Sequence, residues 1–89
     1  RVEGALHRGL RAADELTSVA EVRVLGAVGV LQLRDPVRVR EVTDAALRRG
    51  VWVRPFRDLV YTMPPYVTTD ADLETLTSAL VAAVAEVHG

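Results

Sequence analysis

The 89-residue sequence predicts an α+β fold, a small and mostly antiparallel sheet with helices on one side in the order α-β-β-α-β-β-α. Three features carry that expectation. Apolar residues recur at helical spacing in three separate segments, as amphipathic helices require. Valine-rich runs lie in pairs between those segments, as strands joined by short connections would. Gly, Pro, Asp and Thr residues fall at the junctions, where caps and turns need them.

Residues 1–13 place Val2, Ala5, Leu6, Leu10 and Ala13 at helical spacing, while Gly4 and Gly9 each lower helicity by about 1 kcal/mol relative to Ala. The opening "RVEGALHRGLRAADEL" already reads as the inside of a helix, so more chain is expected upstream of Arg1. "EVRVLGAVGVLQL" is rich in valine and interrupted by Gly26 and Gly29, the pattern of two strands or of one strand bent at a glycine bulge. In "RDPVRVREVTDAALRRG", Asp35 is placed to cap a helix, Pro36 suits its first position, and Gly50 suits the left-handed residue that ends it. Val39, Val42, Ala46 and Leu47 share one face of that helix, with Arg48 and Arg49 near the negative end of its dipole. "VWVRPF" reads as a short strand and "DLVYTM" as the next, ended by Pro64 and Pro65, which cannot donate to a ladder. The last segment opens with Thr69 as N-cap and with Asp70 and Asp72 in its first turn. It sets Leu73, Leu76, Leu80, Val81, Val84 and Val87 on one stripe.

A chain of this length forms one small domain whose core is marginal, because only about two-thirds of its unfolded surface can be buried. With 49% apolar and 26% charged residues it reads as a soluble globular segment, yet one with apolar surface made to be covered by something larger. No run approaches the ~18 to 20 apolar residues of a membrane-spanning helix, so no membrane partner is expected, and with no cysteine in the chain the cytoplasm is the default expectation. The net charge of −1, with acids and arginines mixed along the chain, argues against a nucleic-acid partner, which needs a concentrated positive surface. The absence of cysteine removes disulfides, thiolate metal sites and Cys nucleophiles. Every basic residue is arginine, so no lysine Schiff base can form on this segment.

Nothing here makes a self-sufficient active site, and no catalytic residue is assigned. His7 and His88 lie near opposite ends, each without a second ligand at metal spacing, so both are expected as solvent-facing helix residues and no metal is expected. Ser18 and Ser78 lack a glycine elbow, and Gly26 with Gly29 is too little for a phosphate loop. The concentrated feature is "VWVRPFRDLVYTMPPY", residues 51–66, which holds every Trp, Phe and Tyr of the chain. Pro55 biases Arg54 toward extended backbone, and Trp52 and Phe56 share its face if strand alternation runs through the proline. A guanidinium among aromatic rings is partly desolvated and binds a carboxylate through both arms of its fork. The pattern alone leans slightly to the other reading, an internal salt bridge from Arg54 to Asp58 or Asp35, and spacing does not separate the two.

The run "GVWVRPFRDLVYTMPPYVTTDADL", with "VRVLGAVGVLQL" upstream of it, resembles the carboxy-terminal segment of the adenosylmethionine:8-amino-7-oxononanoate aminotransferases of biotin biosynthesis, the actinobacterial form above all. These are class III aminotransferases that use pyridoxal 5′-phosphate. The resemblance extends from about Val2 to Val87 and is most specific in "RPFRDLVYTMPPY". It implies that residues 1–89 are the small carboxy-terminal domain of a fold-type I homodimer whose large domain binds the pyridoxal phosphate. It implies that Arg54 pairs with the carboxylate of 8-amino-7-oxononanoate, that Phe56 lines the pocket for its apolar chain, and that Tyr61 belongs to the same wall. Trp52, Tyr66, Pro64 and Pro65 are read as framework. The implied reaction moves an amino group from S-adenosylmethionine to 8-amino-7-oxononanoate, giving 7,8-diaminononanoate, with this segment orienting substrate. The other readings are a class III aminotransferase for another ω-amino acid or diamine, and a non-catalytic α+β module for ligand binding or dimerisation. Exposed apolar faces on the last helix and on the sheet are expected to favour self-association of the isolated chain.

Overall fold

Helix α1 (Val2–Leu10) passes into a 3-10 turn at Arg11–Glu15, followed by strands β1 (Val19–Leu25) and β2 (Val28–Leu33), helix α2 (Val39–Arg48), strands β3 (Arg54–Phe56) and β4 (Leu59–Thr62), and helix α3 (Asp70–His88). The computed structural model describes residues 1–64 and 68–89. The strands form one sheet in the order β1-β2-β4-β3, every neighbouring pair antiparallel, as the sequence predicts.

Gly26 decides between the two readings of the first valine-rich run. Leu25 pairs with Val28 across two residues, and Gly26 takes a φ of +58°, a left-handed conformation that costs a glycine nothing. The run is therefore two strands in a hairpin, whose tip is tied to α1 by the Gly26 N–H donating to Glu3 Oε2 at 2.9 Å. Gly29 lies within β2, opposite Val24.

All three helices cover one face of the sheet. Leu31, Leu33 and Val60 from the strands pack in a single cluster with Leu10, Val42, Leu80 and Val84 from the helices, each such burial contributing about 1.5–3 kcal/mol. A smaller cluster of Val2, Leu6 and Leu73 closes the α1–α3 contact. That contact explains Gly9, since a Cβ there would lie 2.0 Å from Thr77 Oγ1. Close approach of the two helices outweighs the lost helicity.

Both later helices end as expected at one terminus. Gly50, with φ +80°, donates its N–H to Leu47 O at 2.9 Å while Val51 donates to Ala46 O at 3.1 Å, the paired bonds of a Schellman cap on α2. Thr69 Oγ1 accepts the Asp72 N–H at 3.2 Å and so caps α3.

Several expectations are corrected. Helix α1 stops at Leu10, although Ala13 stays buried in the 3-10 turn. Helix α2 begins at Val39 and not behind Asp35 and Pro36, because the backbone ahead of it is committed elsewhere. Val37 is buried and donates its N–H to Arg57 O at 2.6 Å, and the Arg38 N–H donates to His88 Nε2 at 3.1 Å. His88 is therefore a half-buried acceptor holding the start of α2, whereas His7 is exposed as expected. The buried face of α2 is Val42, Ala45 and Ala46; Leu47 lies about 100° around the helix from Ala46 and Val39 lies in the open first turn, so both are exposed. On α3 the apolar stripe is not left open: Leu73, Leu80 and Val84 are buried, while Leu76, Val81 and Val87 pack half-buried against the core.

Further uncovered apolar surface lies on the other face of the sheet. Pairing places Val30, Gln32, Leu59, Tyr61, Arg54 and Phe56 on the side opposite Leu31 and Val60, and none of the six is buried. At the tip of the first hairpin Leu25 is 81% exposed. Sheet pairing ends at Thr62, before Pro64; the calls on Pro65 and Tyr66 lie outside the described residues. Among the described residues no helix is long and apolar enough to cross a membrane.

Candidate functional site

Strand β3 begins only at Arg54, so "VWVRPF" is half strand and half irregular chain. The expected alternation nevertheless runs through it, with Val51 and Val53 buried and Trp52, Arg54 and Phe56 exposed. Pro55 sits on an edge strand, where its missing N–H leaves no gap in the ladder. Arg54 stands directly opposite Tyr61, and Phe56 opposite Leu59. The hairpin thus brings together all three residues singled out in the sequence on one side of one strand pair.

Trp52 is 76% exposed and Phe56 56% exposed. The framework role read for Trp52 is not met within this chain, because nothing packs over most of the ring. The partial desolvation expected for Arg54 is likewise absent here, since its aromatic neighbours are themselves open to water.

The internal salt bridge is settled against. Among the described residues Arg54 forms no ion pair with Asp58 or Asp35. Asp58 lies in the turn beyond Phe56 and instead accepts from Gln32 Nε2 at 3.2 Å. The five N–H donors of Arg54 are left available to a ligand.

Arg57 is a feature that the sequence reasoning missed. It occupies the first position of the two-residue β3–β4 turn with φ +56°, and its guanidinium carbon lies 5.4 Å from the centroid of the Phe56 ring. Two residues between paired strand patterns are the signal that could have found it, because so short a hairpin demands positive φ. The turn is held by its neighbours: Arg57 O accepts from Val37 N–H at 2.6 Å and Asp58 O from Leu33 N–H at 2.7 Å.

A cluster of charges joins two helices on the other side of the sheet. Hydrogen bonds from Arg48 and then Arg49 hold the Glu86 carboxyl below the usual carboxylate range, and the same pairing raises Arg48. It joins α2 to α3 and includes no residue of β3. A cleft of about 380 Å³ between α1 and α3, lined by Arg8, Asp70 and Glu74 among others, also excludes Arg54, Phe56 and Tyr61. Arg54, Phe56 and Tyr61 therefore form an open surface that carries a guanidinium, and not an enclosed cavity. A guanidinium beside aromatic rings has the chemistry to accept a carboxylate through paired hydrogen bonds.

Residues 1–84 match the family described as aminotransferase class-III. The chain belongs to the class-III aminotransferase family. This class-III segment is 50% identical over 84 residues to the adenosylmethionine-8-amino-7-oxononanoate aminotransferase of Corynebacterium glutamicum, covering 94% of the chain and 20% of that protein. It is 48% identical over 80 residues to the enzyme of the same name from Mycobacterium leprae, covering 90% of the chain and 18% of that protein. The chain thus spans about a fifth of the length of the curated relatives it matches. Among solved structures, the adenosylmethionine-8-amino-7-oxononanoate aminotransferase of Methanocaldococcus jannaschii superposes with a TM-score of 0.84 at 24% identity, covering 98% of the chain and 22% of that structure. An amine transaminase from an uncultivated Pseudomonas species, in its PLP-bound form, superposes with a TM-score of 0.81 at 30% identity, covering 96% and 22%. The small-domain architecture of fold-type I enzymes, expected from the sequence, is borne out by these superpositions.

Proposed function

We propose that residues 1–89 are the small carboxy-terminal domain of an adenosylmethionine–8-amino-7-oxononanoate aminotransferase, and that Arg54 anchors the carboxylate of the oxononanoate. The identity of half the aligned residues with a relative of that name supports the reaction. The role of this segment rests on one observation, an arginine without an acidic partner among the described residues, standing on an open sheet face beside Tyr61 and Phe56.

The cofactor of this reading is pyridoxal 5′-phosphate, which would supply the site that carries the amino group between donor and acceptor. Residues 1–89 do not fit it, because the chain has no lysine to attach it. It would be bound by the large domain of the parent protein. What this chain contributes is orientation. The planar fork of Arg54 would take the substrate carboxylate in bidentate fashion. Phe56 and Tyr61 would line the path of the apolar chain. Fixing that far end aims the reacting end at a constant point, which is how remote binding contacts lower a barrier. Packing of the large domain on this face would exclude water and strengthen the Arg54 contact. The parent protein is read as a cytoplasmic homodimer.

The test is amino transfer by the full-length parent with bound cofactor, following 7,8-diaminononanoate formed from S-adenosylmethionine and 8-amino-7-oxononanoate. Simple ω-keto acids and a plain diamine serve as controls. The reading expects transfer with the oxononanoate and little with the controls. Transfer confined to a control would move the protein to another class-III activity, and no transfer with any pair would favour a non-catalytic module.

A further inference from the structure

Arg57 is conspicuous because a glycine would serve its backbone better. A non-glycine residue at φ +56° costs on the order of 1 kcal/mol and persists only where neighbours enforce it. Here the bonds from Val37 and Leu33 to the carbonyls of Arg57 and Asp58 enforce it, and Gln32 holds the Asp58 carboxylate. The result is a guanidinium aimed at the Phe56 ring, 5.4 Å from its centroid, on a ring otherwise more than half exposed. A cation over an aromatic face is an attractive, directional contact.

Resting on the function proposed above, we infer that Arg57 is a positioning residue that acts through Phe56. Its stacked guanidinium holds the Phe56 ring in place beside Arg54, so that the wall meeting the apolar chain of a carboxylate-terminated substrate is preformed. The contribution is to substrate affinity, since a ring fixed in advance need not be ordered on binding.

The experiment uses the full-length parent with bound cofactor and measures KM for 8-amino-7-oxononanoate in the wild type, Arg57→Gly, Phe56→Ala and the double variant. Glycine suits the left-handed turn, so Arg57→Gly removes the stack without burdening the backbone, and its melting temperature should not fall. The expected result is a KM raised about threefold by Arg57→Gly, the size of one exposed cation–π contact. In the Phe56→Ala background the same change should leave KM unaltered. An unchanged KM in Arg57→Gly, or an equal rise in both backgrounds, overturns the inference. Arg54→Ala, run alongside, separates the two levels: if it leaves KM for the acid untouched, the anchoring role fails and the inference with it. If Arg54→Ala raises KM and Arg57→Gly does not, only the role of Arg57 fails.

Discussion

The two interior glycines of α1 should respond to the same substitution with opposite signs. In an isolated helix either Gly→Ala change would stabilise by about 1 kcal/mol. At Gly4 a new Cβ meets only the flexible end of Arg8, 3.4 Å away, so the propensity gain of roughly 0.5–1 kcal/mol should be realised. At Gly9 the new Cβ would sit 2.0 Å from Thr77 Oγ1 and 2.4 Å from Thr77 Cβ, more than about 1 Å inside any normal contact. Thr77 Cβ is fixed by the helix backbone and no side-chain rotation relieves its contact, so α1 and α3 must move apart and loosen the packing of Leu6, Leu10 and Leu73. Overpacking of this kind costs about 1–3 kcal/mol, which against the propensity gain leaves a net loss of up to about 2.5 kcal/mol. Hydrogen exchange of peptides covering α1 and α3, read by mass spectrometry in the full-length protein, checks both variants. Slower exchange in Gly4→Ala and faster exchange in Gly9→Ala are expected. Equal or slower exchange in Gly9→Ala would refute the close-approach account.

Three further outcomes follow from named contacts. His88→Ala removes the acceptor of the Arg38 N–H and should cost about 1 kcal/mol, seen as faster exchange across the first turn of α2. Thr69→Ala removes the α3 cap and should cost about 1 kcal/mol, seen at the amides of Asp72 and Leu73. Glu86 is held below its ordinary protonation range by Arg48 and Arg49, so its pairing stabilises the α2–α3 contact at neutral pH and is lost as pH falls through that lowered value. Protection of α2 should therefore decline in acid below the usual carboxylate range, more weakly at high salt, and Glu86→Gln should flatten the decline.

Local rules made much of this fold readable. Thr69 and Gly50 act as the caps their residue types suggest, since both satisfy helix-end groups through bonds to near neighbours. Alternation from Val51 to Arg54 was legible for the same reason, because strand pleating depends only on neighbouring residues. What was not legible depended on tertiary partners. Asp35 and Pro36 carry a good helix-start signal, but Val37 is drawn to the Arg57 carbonyl and Arg38 to His88, and the helix starts later. The covered face of α2 was set by where α3 lies, which left Val39 and Leu47 outside. At the candidate site, strand alternation set Trp52 and Phe56 on the face of Arg54, while Tyr61 came from the family resemblance. Spacing could not tell whether Asp58 would neutralise Arg54, because that turned on Gln32, 26 residues away from Asp58 in the chain.

The central claim is that Arg54 reads a substrate carboxylate, and the most direct measurement is a ratio. In the full-length protein with bound cofactor, kcat/KM is determined for 8-amino-7-oxononanoate and for its analogue lacking the carboxylate, in wild type and in Arg54→Ala. Loss of a charge-assisted bidentate contact should cost about 2–4 kcal/mol with the acid, a fall of roughly 30- to 1000-fold, and should spare the analogue. An Arg54→Ala protein that still prefers the acid by the wild-type ratio would contradict the account.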